Sequence, residues 1–224
     1  MRKISGEDMK KMILVFTCLL LSTVCQGRII TVDDDGPADF NNIQAAIDDA
    51  NDGDTIIVEK GTYFENINFD GKNIVLRSTD PNNPDIVAAT ILDGNNFESV
   101  VTFAGTENQT CVLSGFTIQD GSHDGEYSRG GGGICGGLEE NHTRATVRNN
   151  IITRNSAWDG GGLSRCDGLI EKNIITNNYA RWYQGGGGLD HPSAEFLHEG
   201  HSQPTRSLGG RSHASVHAGR LCFT

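Results

Sequence analysis

Residues 145–163 read ATVRNNIITRNSAWDGGGL, and residues 168–189 read GLIEKNIITNNYARWYQGGGGL. One phrase is spoken twice. Val147, Asn150, Ile152 and Asn155 in the first copy match Ile170, Asn173, Ile175 and Asn178 in the second, all at one constant offset. Leu113, Phe116, Ile118 and Gly121 form a looser copy upstream of the first, again at a single offset. Self-similarity at such a period is the signature of a repeat architecture.

Each copy holds short strand-like runs divided by Gly, Asn and Asp, and no helical periodicity. Further runs lie at 29–32, 55–58, 67–69, 74–77, 90–92, 100–103, 112–118, 146–153 and 169–176. Parallel strands need crossovers. So short a repeat, made only of strands and turns, meets that need most economically as a coil, each turn stacked on the last. Val147 over Ile170 and Ile152 over Ile175 are then aliphatic ladders. Asn150 over Asn173 and Asn155 over Asn178 are asparagine ladders, in which stacked amides supply one another's partners. The glycine runs 130–133, 160–162 and 185–188 read as tight turns with positive φ. A phosphate loop is excluded, because no Lys-Ser/Thr follows them and no helix begins there.

Upstream, Ile43, Ala46, Ile47 and Ala50 fall on one helix face. Asn41 and Gln44 have capping-box spacing, and Gly53 suits a stop. The spacing predicts a short helix over 42–51 that plugs the N-terminal end of the coil, since repeat arrays need capped ends. Before it, Lys10 and Lys11 precede an apolar run, Met12 to Val24, and Cys25 and Gly27 sit at −3 and −1 of a cut before Arg28. That order is a secretory signal over 1–27. The run is too short to span a bilayer comfortably, so no transmembrane segment is expected after signal removal.

The chain has 224 residues and a net charge of −11, which argues against nucleic acid or an anionic membrane surface as a partner. Of six cysteines, Cys111, Cys135, Cys166 and Cys222 lie beyond the signal, without zinc-ligand spacing. They read as buried small residues; export would permit a disulfide of unassigned pairing. Residues 28–190 hold 18 Asn and 17 Ile, whereas 191–224 hold neither. The repeat region is therefore set at 28–190. The non-repeat tail 191–224 fits loss of the reading frame, and so truncation of a longer coil, better than a disordered tail. His198, His201, His213 and His217 have metal-like spacing in that tail, but no secondary-structure signal supports a metal there.

The block ITVDDDGPADFNNIQAAIDDANDGDTIIVEKGTYFENI (30–67), with its F-x-x-I-Q-x-A-I, DGDTI and G-x-Y-x-E phrases, and the repeats resemble the right-handed parallel β-helix, or pectin-lyase-like, superfamily. The Gly-Gly-Gly-Leu phrasing is also similar to repeats of chlamydial polymorphic outer-membrane proteins. The resemblance implies an all-β fold: a right-handed single-stranded parallel β-helix with a short N-terminal capping α-helix. It covers about 29–189 and implies a secreted, periplasmic or cell-surface location. Function does not follow from the fold. The expectation is an exported protein that binds or processes extracellular polysaccharide, with or without catalysis. The alternative is a cell-surface adhesin-type or structural repeat domain with a cell-surface partner.

No complete catalytic motif of a pectin esterase, polygalacturonase or pectate lyase is present. Gln119-Asp120-Gly121 approaches an esterase run without its context. Asp33, Asp34 and Asp35 precede the cap helix and read as a solvated turn. Asp120, Asp124 and Asp159, with Glu126 and Arg154, are the weak candidates for calcium, the one cofactor that acidic turns of this kind would hold. Trp158 and Trp182 follow the two repeats at nearly equivalent places, with Tyr179 and Tyr183 close by. Aromatic faces on one edge of a coil can stack on sugar rings, so these four are the candidate substrate-binding residues. Asn108-Gln-Thr and Asn141-His-Thr are glycosylation sequons.

Overall fold

The computed structural model describes residues 27–123, 130–137, 141–158 and 160–180 in full, besides Glu7 and the backbone of Leu189–Asp190 and Arg220–Cys222. Apart from Glu7 and Gly27, the segment 1–27 expected to be a secretory signal lies outside these residues, as does most of the tail.

Four sheets carry the fold. The first stacks Ile29–Val32, Thr55–Val58, Val75–Ser78, Val112–Ser114, Thr146–Arg148 and Leu169–Glu171. The second stacks Gly61–Tyr63, Thr90–Asp93, Thr117–Gln119, Ile151–Thr153 and Ile174–Thr176. The third stacks Ile67–Asn68, Val101–Thr102, Ile134–Cys135, Leu163–Ser164 and Leu189–Asp190. A small fourth sheet joins Ser122–His123, Ser156–Ala157 and Tyr179–Ala180. Every one of these pairings is parallel. From Thr55 onward the chain visits the first, second and third sheets and then returns to the first; from Ser122 it inserts the fourth sheet between the second and third. The protein is thus mostly β and parallel, an arrangement compatible with a parallel β-helix. One strand runs the other way: Arg220–Cys222 pairs antiparallel with Leu169–Glu171.

Alternation of side chains decides which residues fill the core. In the first sheet Ile30, Ile56, Leu76, Leu113, Val147 and Ile170 lie in one register line, all buried. Tyr63, Leu92, Ile118, Ile152 and Ile175 form the line of the second sheet. Ile67, Val101, Ile134 and Leu163 form that of the third. These lines belong to one apolar cluster, and each side chain in it contributes roughly 1.5–3 kcal/mol of burial. Phe69 and Phe103 stack inside at 4.5 Å between ring centres.

Helix α1 spans Ile43–Asp49, shorter than the expected 42–51. It buries Ile43, Ala46 and Ile47 and packs against Ile29–Val32, Thr55–Val58 and Ile67–Asn68. The capping box expected from Asn41 and Gln44 does not form. Asn42 is the N-cap, accepting from the Ala45 N–H at 2.9 Å. The free N–H groups of Ile43 and Gln44 donate instead to Glu65, at 2.8 and 2.9 Å. The Gln44 side chain ties down Asn68, donating to its carbonyl and accepting from its N–H. The acid of the G-x-Y-x-E phrase is therefore a helix cap supplied by the distant connection between Gly61–Tyr63 and Ile67–Asn68, which local spacing could not reveal. A second helix, α2 (Pro84–Ala89), interrupts what read as a purely strand-and-turn region. Asn83 caps it and Pro84 opens it, an arrangement suited to a helix start. At six residues it is too short to show periodicity.

Each long run expected at 112–118, 146–153 and 169–176 is two strands around a corner. The corner residues Gly115, Asn149 and Lys172 all have φ in the left-handed region, as do Asp120, Arg154 and Asn177 one corner later. The residue after each corner is the ladder position. Asn150 Oδ1 accepts from the Phe116 N–H, and its Nδ2 donates to the Leu113 carbonyl, at 3.0 and 3.1 Å. Asn173 repeats this one turn on, with the Asn150 N–H and the Val147 carbonyl. Asn155 and Asn178 do the same at the next corner. Amide-to-amide bonds link Asn150 to Asn173 and Asn155 to Asn178. Each amide thus satisfies backbone groups that the corner takes out of the ladder.

The two described glycine runs do a different job from the one expected, and the run 185–188 lies outside the described residues. None of Gly130–Gly133 or Gly160–Gly162 has a left-handed φ. They are needed for close approach: a Cβ on Gly132 would stand 2.2 Å from the Ser156 carbonyl oxygen, and one on Gly161 2.5 Å from that of Tyr179. The fourth sheet closes directly onto glycine backbone.

Candidate functional site

The fourth sheet is where the sequence candidates converge. It exists because the corner at Asp120, Arg154 and Asn177 turns the chain, and the asparagine ladder then fixes the next residue. Ser122, Ser156 and Tyr179 follow in register, one above another. The Ser156 hydroxyl donates to that of Ser122 at 3.3 Å. Tyr179 is 48% exposed. Trp158, half-buried, comes directly after Ala157, the residue paired with Ala180. Tyr179 and Trp158 therefore belong to adjacent turns of one edge. Trp182 and Tyr183 lie outside the described residues.

Asp124 and Asp159, two of the three calcium candidates, also lie outside them, as does Glu126. Both carboxylate oxygens of the third, Asp120, accept from the Arg154 guanidinium, at 3.0 and 2.8 Å. That pairing raises the Arg154 pKa above its ordinary value. Asp93 accepts from the Gln119 side chain at 2.8 Å. The acids at this corner thus hold protein donors.

Asp33, Asp34 and Asp35 place one carboxylate oxygen each within 4.8 Å of the others. Asp34 and Asp35 are exposed, the Asp33 carboxylate accepts from the Asp35 N–H at 3.3 Å, and the group lies on the stretch before α1. The nearby Tyr63 phenol is pushed up by burial and then by Asp34 and Asp33. Asp54 is buried and accepts from the Arg28 and Asn51 N–H groups and the Arg28 side chain. Burial opposes its ionised form, but these donors outweigh burial and hold its pKa below the usual range. Glu107, 2% exposed, accepts from the N–H groups of Gly71, Ala104 and Gly105. Each of these buried acids binds the backbone.

Three polar pairs had no sequence signal. Ser99 Oγ and His123 Nδ1 are 3.1 Å apart. The same hydroxyl donates to the Gly131 carbonyl at 2.7 Å, so the imidazole is the donor of the pair. A hydroxyl whose proton points at a carbonyl, on a residue 2% exposed, is a brace and not a nucleophile. His142 and Asp167 meet at 3.2 Å on the opposite margin of the third sheet. Asn66 donates to the carbonyls of Phe97 and Ser99, at 2.6 and 3.0 Å. Cys111, Cys135 and Cys166 are buried free thiols. Burial pushes the Cys111 thiol up to about 12 and that of Cys166 well above its ordinary value, which makes them inert at neutral pH.

No protein-family model matches this chain, and no curated protein matches it.

Proposed function

We propose that the chain is an exported right-handed parallel β-helix, akin to the pectin-lyase-like superfamily, that binds extracellular polysaccharide. The right hand follows the rule for strand–crossover–strand connections between parallel strands, and the cyclic order of sheets supports a single coil. The binding reading rests on one observation: the edge of the fourth sheet leaves Tyr179 exposed on the strand that pairs with Ser156–Ala157, the strand leading directly into Trp158. A side chain with an apolar face and a polar tip suits a ligand whose rings are apolar on their faces and hydroxylated at their rims.

Export has its own support. Cleavage before Arg28 would free an α-amino group at the nitrogen that already donates to Asp54 at 2.8 Å. Arg28 also pairs with Asp49 and Asp54 through its side chain. The new α-amino group would therefore meet the Asp54 carboxylate, while the guanidinium of the same residue holds Asp49 and Asp54. The reading commits to binding and assigns no catalytic step, since Asp120 and Asp93 at this corner are engaged by Arg154 and Gln119.

The test is a broad glycan array probed with the full chain, with and without Ca²⁺. Binding to at least one polysaccharide class is expected. A folded chain that binds none under either condition would falsify the reading.

A further inference from the structure

The exposed aromatic side chains are not scattered. Phe64 is 69% exposed, Phe97 62% and Tyr179 48%. Large apolar side chains in such positions mark contact surfaces when they line up, and hydrogen bonds and strand register place the segments that carry these on one margin. Asn66, two residues after Phe64, donates to the Phe97 carbonyl. Glu98, the residue after Phe97, accepts from the Ser122 N–H at 2.8 Å. Ser122 pairs with Ser156, and Ser156 with Tyr179. Phe64, Phe97, Trp158 and Tyr179 thus fall on four of five successive turns along one margin, with Ser122 on the turn between Phe97 and Trp158, joined to Glu98 by a single antiparallel bridge. With about 4.8 Å between neighbouring strands, the column from Glu98 to Tyr179 rises roughly 14 Å. The hydroxyls of Ser122 and Ser156 lie midway along it.

Charge selects the ligand. Among the described residues, Asp93, Glu98 and Asp120 border this column, against one permanent cation, Arg154. Both Arg154 bonds go to Asp120, so its charge is already matched, and Glu98 is exposed. The whole chain carries −11. A polyuronate laid here would meet like charge; a neutral glycan would not.

Building on the polysaccharide reading above, we infer that this column is a docking strip for a neutral, hydroxyl-rich glycan chain lying parallel to the stack axis. Its rings are held by Phe97, Trp158 and Tyr179, and Ca²⁺ takes no part. Isothermal titration of the full chain tests this, with hexasaccharides of β-1,4-glucan, β-1,4-xylan and β-1,4-mannan as neutral probes. Hexagalacturonate, with and without Ca²⁺, is the charged probe. The expected result is binding of a neutral hexasaccharide that is unchanged by chelator. Phe97→Ala and Tyr179→Ala each weaken it about tenfold, a loss of about 1.4 kcal/mol. Ile29→Ala, on an exposed apolar residue at the N-terminal end of the stack, leaves it unchanged. The substituted side chains are exposed, and circular dichroism checks that the variants fold. Neutral binding that survives both substitutions overturns the column. Binding of hexagalacturonate alone overturns the neutral assignment and leaves the polysaccharide reading standing. Failure of every probe with folded protein overturns both.

Discussion

Asn150 is 1% exposed, and its amide serves both the Phe116 N–H and the Leu113 carbonyl. Removing it leaves both backbone groups buried without a partner, at about 1–3 kcal/mol for each such group. Asn150→Leu should therefore lower stability by roughly 2–6 kcal/mol, measured as a drop in the denaturation midpoint. Asn177→Gly is the control: the residue is exposed with φ 55, a conformation glycine adopts freely, so little change is expected. Glycine itself divides into two kinds here. Gly53 has φ +89 and open space around its missing Cβ, so only backbone strain opposes a side chain. Gly132 lacks that strain, but its Cβ would meet the Ser156 carbonyl. Gly132→Ala should cost about 1–3 kcal/mol by overpacking. It should also loosen the fourth sheet, seen as faster amide exchange at Ser156.

Among the elements, the junction of Arg28 with Asp54 gives a pH signature. The folded state holds the Asp54 pKa below its ordinary value, so its contribution is fully present above the unfolded carboxyl pKa of about 3.9. The contribution is lost as pH falls through the lower, folded value. Stability measured by denaturant titration should fall below about pH 4, and Asp54→Asn should flatten that acid limb. This level also shows what sequence could reveal. The last two turns were legible because their partners keep one offset, and the aliphatic and asparagine positions repeat together. Earlier turns were not, because the offset changes from one turn to the next: Ile56 pairs with Leu76, but Leu76 pairs with the much more distant Leu113. Two-residue strands such as Ile134–Cys135 are too short for alternation to show. The Glu65 carboxylate that caps α1 at Ile43 is remote in the chain from the helix start. Phe64 and Phe97 escaped notice for the same reason as the earlier turns: only the stack brings them into line with Tyr179.

At the scale of the molecule, everything proposed about function depends on turns stacking in parallel register. The apolar lines need it, and so do the amide ladders and the aromatic column. A helix plug at one end or an aromatic edge would mean little on a meander of hairpins. Parallel and antiparallel stacking differ in one countable property. Parallel partners keep a constant difference in residue number, and antiparallel partners keep a constant sum. Cross-strand proton contacts in an isotope-edited NMR spectrum of the full chain read this property directly. Val147 should contact Ile170, Ile151 should contact Ile174 and Thr153 should contact Thr176, every pair at the same difference in residue number. Contacts between these segments whose residue numbers instead add to a constant would contradict the stacked fold and the binding face built on it.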